Sequence, residues 1–144
     1  MKFARGRFHL KNQEKYVGTK TPTYRSGWEH AFMRLCDEHP NVYKWASESI
    51  KIPYRHPLTG KYTIYVPDFF VVYIDKEGRK HAELVEIKPK AQTTMEDAGR
   101  SHSKQRQVVI NQAKWEAASA YAKQNRIKFR VVSEEQLFHN GKRK

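Results

Sequence analysis

Between residues 66 and 88 apolar side chains crowd into two short runs, VPDFFVVYI and HAELVEIK, around the turn-forming stretch Asp75-Lys76-Glu77-Gly78. Val, Ile, Phe and Tyr favour strands, so this pattern predicts a β-hairpin. Upstream the spacing is helical: Trp28, Phe32, Leu35 and Cys36 make one apolar stripe, opened at Ser26 by the capping-box pattern SGWE and stopped before Pro40. SIKIPY at 49–54 reads as a first strand, with Pro57, Thr59 and Gly60 marking the turn after it. A long helix is expected over 104–124, carrying Val108, Trp115, Ala118 and Ala122 on one face, and IKFRVV at 127–132 makes a last strand. Ser133, Glu134 and Glu135 start a short final helical turn. Residues 1–24 show no sustained period and read as an extended basic arm, while 89–103 are polar and aperiodic and read as a loop. The order α-β-β-β-α-β predicts an α/β (α+β) domain: a mixed four-stranded sheet, made of a three-strand antiparallel meander plus a fourth strand, with flanking helices.

Charge narrows the class of partner. The 144 residues hold 28 Lys and Arg against 15 Asp and Glu, a formal net charge of +13. Solubility of a small domain needs only about 2 to 8 charges, so this excess points to a polyanion, with nucleic acid first. Basic residues gather toward both ends: Lys2, Arg5, Arg7, Lys11 and Lys15, then Lys142, Arg143 and Lys144. No apolar run is long enough to span a membrane, and the N-terminus lacks the apolar stretch of an export signal. The single cysteine, Cys36, excludes an internal disulfide and suits a reducing compartment. The seven histidines lack metal-ligand spacing, and no glycine-rich phosphate loop or serine nucleophile arrangement is evident.

The hairpin carries the chemistry. If it closes through Lys76-Glu77-Gly78, with Gly78 in the left-handed conformation, Asp75 lies opposite Arg79 and Asp68 opposite Glu86. The two acids then share one face with Cβ atoms about 5 Å apart, and Lys88, two residues past Glu86, points the same way. Opposed, partly buried carboxylates hold a proton or a cation. Oxygen-only ligands suit Mg²⁺, with Mn²⁺ able to substitute, and the Ile87 carbonyl adds a further oxygen. Lys88 would orient the attacking water or stabilise charge on a phosphate. The competing reading makes Asp68 and Glu86 solvated strand ends with Lys88 as salt-bridge partner; acids set in apolar runs of so basic a chain argue against it. Tyr24, Arg25, Lys90, Lys104, Arg106, Gln112 and Lys114 are candidate DNA contacts. No small-molecule organic cofactor is indicated.

Pro67-Asp68 followed by Glu86-Ile87-Lys88 resembles the PD-(D/E)xK nuclease signature, and the element order is that of the restriction-endonuclease-like core. GRFHLKNQEKYVG, YRSGWEHAFMRLCDEHPNV, WASESIKIPYRHPLTGKY, YVPDFFV, LVEIKPK and NQAKWEAASAYAK together resemble the head-completion nucleases of T4-like tailed bacteriophages. The resemblance implies a DNA endonuclease acting after packaging and before tail joining, in the host bacterial cytoplasm or on the virion, beside head, portal or neck proteins. It also implies a further active-site carboxylate at Glu29, in competition with that residue's capping role, and attention to branched or flapped DNA. The division expected is a basic arm at 1–24, a nuclease domain at 25–138 and a basic tail at 139–144. Non-catalytic alternatives are a basic plug protein retaining a nuclease fold and a plain nucleic-acid-binding module; retention of Asp68, Glu86 and Lys88 speaks against both.

Overall fold

The computed structural model describes residues 5–134. Lys2, the part of the final helical turn from Glu135 onward and the tail at 139–144 lie outside the described residues.

Ser26 opens the first helix as expected: its extended backbone places Oγ to accept the Glu29 amide at 3.2 Å, and α1 runs Gly27–Glu38. It ends there because the residue before a proline is pushed out of helical geometry, and His39 is extended. Phe32, Met33 and Cys36 are its buried stripe.

The described residues form eight strands, β1 to β8. β1 (Gly6–Arg7) pairs with β2 (Thr23–Tyr24) in a small ribbon. β3 (Val42–Ser47), β6 (Phe69–Ile74), β7 (Lys80–Ile87) and β8 (Lys128–Val132) form the main sheet in the order β3-β6-β7-β8. β3, β6 and β7 are antiparallel neighbours; β8 joins β7 in parallel after a crossover through the long helix His102–Gln124, α3, which is preceded by the short α2 (Met95–Ala98). The mixed four-stranded sheet is as expected, but its first strand is not. Residues 52–55 (β4) leave the main sheet and pair with β5 (Tyr62–Tyr65) in a separate hairpin inserted between β3 and β6. The meander's opening strand is β3, whose apolar alternation is broken by a register shift between Val42 and Lys44.

Two further expectations are corrected. Residues 5–24 are not an extended arm: Phe8 is 7% exposed and joins the core, and Tyr16 packs edge-on against buried Trp45. The Asp37 carboxylate accepts from the amides of Lys11 and Asn12, tying the segment to the end of α1. The region 89–103 is more ordered than a loop, with a 3₁₀ turn at Lys90–Gln92 and α2 capped by Thr94. Fully buried Asn111 of α3 donates to the Gln92 carbonyl and pins that turn.

Strand alternation sorts the two faces of the sheet. Phe69, Val71, Val85 and Ile87 point to α1, with Phe8 and Trp45, in one core cluster. Phe70 and Leu84 point the other way and pack with α3 and the inserted hairpin, where Ile52, Tyr54, Tyr65 and Ala118 are buried. Glu86 alternates with Val85 and Ile87, so it belongs to the face covered by α3 and the hairpin.

Candidate active site

The β6–β7 turn sets the geometry. Gly78 adopts φ +80°, Asp75 N–H donates to the Arg79 carbonyl, and the register runs from Ile74 opposite Lys80 to Phe69 opposite Val85. One step further, Asp68 stands opposite Glu86. Each carboxylate reaches across to the other strand: Ile87 N–H donates to Asp68 Oδ2 at 2.8 Å, and Asp68 N–H donates to Glu86 Oε1 at 3.3 Å. These bonds use one oxygen of each carboxylate and leave the other outside them. Lys88 Nζ lies 3.6 Å from Glu86 Oε2 on the same face.

Burial makes this pair costly to ionise. Glu86 is 5% exposed and Asp68 half-buried. Loss of solvent raises Asp68 well above the usual carboxylate range and the neighbouring Glu86 charge raises it further, while the Ile87 amide and Lys88 oppose the rise. Burial also raises Glu86, against the pull of Lys88, the Tyr65 hydroxyl, the Asp68 amide and Lys114. The site is therefore a place where positive charge is favoured. An oxygen-only pair that holds net negative charge at a cost matches the demands of a hard divalent cation.

Two side chains from the α3 and hairpin side close the site. Tyr65, buried at the end of β5, donates its hydroxyl to Glu86 Oε1 at 2.8 Å. Lys114 of α3 is half-buried with Nζ 5.6 Å from the centre of the Tyr65 ring. Burial lowers its pKa, as does the Lys88 charge, while Glu86 and Asp68 favour its charged form. Of the residues singled out from sequence, then, Asp68, Glu86, Ile87, Lys88 and Lys114 come together.

Glu29 stays at the margin. It rides on α1, which covers the opposite face of the sheet, and Oε1 accepts the Arg25 amide at 3.2 Å rather than the Ser26 amide that a capping box would give it. Its pKa is raised, by burial first, and it feels the Lys88 charge and adds to the negative potential at Asp68. Among the described residues no three His, Cys, Asp or Glu side chains converge to metal-ligand distance. The remaining candidates are dispersed. Arg25 pairs with Glu48 at 2.6 Å, and Tyr24 packs edge-on against His30. Lys90 is exposed at the start of the 3₁₀ turn, and Lys104, Arg106 and Gln112 are exposed along α3. A cavity of about 510 Å³ opens on the α1 face, lined by Phe32, Leu35, Tyr73, Glu83 and Arg130, and contains none of the candidates.

Tyr65 is the residue that sequence reasoning missed. Its signal is present in the apolar run leading into Pro67-Asp68, but the sequence pattern assigns residues 61–65 to no element, so nothing orients the ring.

A mixed sheet presenting a Pro-Asp and a Glu-x-Lys on adjoining strands, flanked by helices, defines a nuclease of the restriction-endonuclease-like fold. Residues 39–134 match the model of the TnsA-like endonuclease N-terminal family, and the chain belongs to it. Over 142 residues the chain is 33% identical to the head completion nuclease of Enterobacteria phage T4, with 92% of each chain covered. The resemblance to head-completion nucleases of T4-like phages thus extends over almost the whole chain.

Proposed function

We propose that this protein is a divalent-metal-dependent endodeoxyribonuclease that hydrolyses phosphodiester bonds during completion of the phage head, after packaging. The observation carrying the reading is the pairing of Asp68 with Glu86 across β6 and β7, with the Lys88 ammonium on the same face. Asp68, Glu86 and the Ile87 carbonyl would hold Mg²⁺, with Mn²⁺ substituting. When bound, the ion supplies charge stabilisation for the phosphate and acidifies water.

The chain's own groups do the rest. Lys88 donates a hydrogen bond to the attacking water or to a non-bridging phosphate oxygen, and so orients the reactants and stabilises charge as it builds. The water gives up a proton to solvent as its oxygen bonds to phosphorus, the bond to the leaving sugar oxygen breaks, and that oxygen leaves protonated by solvent. Tyr65 and the Asp68 amide hold Glu86 in place. Glu29 adds negative potential from the edge of the site. Lys114 approaches a phosphate from α3, while Tyr24, Arg25, Lys90, Lys104, Arg106 and Gln112 contact the DNA backbone, which carries little sequence information. Head, portal or neck proteins are the natural neighbours, met in the host cytoplasm during assembly.

The test is cutting of supercoiled plasmid by the full chain. Nicked and linear product should form with Mg²⁺ or Mn²⁺ and vanish with a chelator. Lys88→Ala and Asp68→Asn should each slow cutting by about 100-fold or more. Unchanged cutting by Lys88→Ala would remove Lys88 from the mechanism, and no cutting by the parent with any divalent ion would leave a DNA-binding protein.

A further inference from the structure

The inserted hairpin has two unlike faces. Inward, Ile52, Tyr54 and Tyr65 are buried under α3. Outward, the register sets Arg55 opposite Tyr62 and Pro53 opposite Ile64, and all four are exposed. Tyr62 is 79% and Ile64 52% exposed, and Leu58 at the tip is also 52% exposed. Tyr62 makes no aromatic or cation–π contact among the described residues, and its high exposure leaves the ring accessible for stacking.

Charge says what this surface accepts. No acidic residue lies between Glu48 and Asp68, while Lys51, Arg55 and Lys61 are all exposed along the hairpin. Arg55 donates from Nε to the Gly60 carbonyl at 3.0 Å, which holds the guanidinium beside the tip turn. Glu116 of α3 lines a cleft with Tyr54 and Arg55 beside the helix. An apolar aromatic face ringed by cations fits a ligand with flat apolar rings and regular negative charges. In a duplex the base faces are stacked on one another, so only unpaired nucleotides offer both.

We propose that the outer face of the β4–β5 hairpin binds unpaired nucleotides of DNA, with a base stacking on Tyr62 and flanking phosphates on Arg55 and Lys61. The proposal rests on the nuclease reading for its choice of DNA. The hairpin also links the two regions directly: Ile64 is on the outer face, and the next residue, Tyr65, holds Glu86. Strand bound there is delivered beside the carboxylate pair.

The test measures binding of the full chain, in a chelator so that nothing is cut, to a fluorescein-labelled oligothymidylate and to an abasic strand with the same phosphates. The parent should bind the base-bearing strand about 10-fold or more tightly than the abasic one. Tyr62→Ala should abolish that difference, Tyr62→Phe should keep it, and Arg55→Ala should weaken both strands alike. Equal binding of the two strands by the parent overturns the proposal, as does an unchanged difference in Tyr62→Ala. Plasmid cutting with Mg²⁺ is followed in parallel. Cutting without base-dependent binding defeats the hairpin assignment alone, whereas base-dependent binding without cutting defeats the nuclease reading and leaves the hairpin standing.

Discussion

Asp68 is held where an ionised carboxylate is disfavoured, by burial and by Glu86 opposite. A carboxyl whose folded pKa is raised binds its proton more tightly in the folded state. Its contribution to stability is therefore largest at low pH and is lost as pH rises from the ordinary carboxylate range through the raised value. At pH 7 to 8, without divalent ions, Asp68→Asn should remove that repulsion while keeping an oxygen for the Ile87 amide. We expect a stabilisation of about 1–2 kcal/mol, or roughly 3–8 °C in melting temperature, together with loss of cutting. Thermal melts with and without Mg²⁺ check it: the ion should raise the parent's midpoint and leave that of Asp68→Asn unmoved. Destabilisation by Asp68→Asn in the chelator would mean that the pair is not strained. Tyr65→Phe makes a subtler change, removing the hydroxyl that donates to Glu86 Oε1. Cutting should slow by about 10-fold or more, since groups that orient a ligand carboxylate typically matter by 10–100-fold. Titration of activity against Mg²⁺ should show a higher half-saturating concentration.

The elements differ in how plainly the sequence announced them. The β6–β7 hairpin was legible to the residue, because Gly78 at a position of φ +80° leaves one sensible register and that register opposes the two acids. α1 was clear from its period and its Ser26 cap, and α3 from its apolar spacing, although it begins at His102, two residues before the expected start. β3 was not, since its alternation is interrupted at Tyr43 and Lys44 by the register shift, and Ala46 and Ser47 give little strand signal. The N-terminal segment was missed for a related reason. It holds Phe8 by contacts distant in sequence, which no local period reveals. Its role is testable: Phe8→Ala should destabilise the fold by about 3–4 kcal/mol, as for a buried ring, whereas a detached arm would leave the denaturation midpoint unchanged. The site was legible to the extent that the hairpin was. Tyr65 and the marginal place of Glu29 depend on which sheet face each element covers, and that is a property of packing rather than of local pattern.

At the scale of the whole molecule, the proposed function assigns the +13 charge and the carboxylate pair to different steps. Lys104 and Arg106 on α3 are exposed, so in the proposed contact with phosphates their attraction would be screened within about 10 Å at 0.1 M salt. Contacts within the pair of Asp68 and Glu86 are short and partly dry, and salt weakens them little. Raising salt should therefore increase KM for DNA steeply while kcat at saturating DNA falls little. With about four to six phosphates contacted, the logarithm of affinity should fall against the logarithm of salt with a slope of roughly −4 to −5 on duplex DNA. Removing one such contact, in Lys104→Ala or Arg106→Ala, should make the slope shallower by about 1 without changing kcat. Binding titrations at several salt concentrations, paired with cutting at saturating DNA, separate the two effects. If salt instead lowered kcat as steeply as affinity, the exposed cations would be acting in the chemical step, and the proposed division between a basic surface that gathers DNA and a carboxylate pair that supports hydrolysis would be wrong.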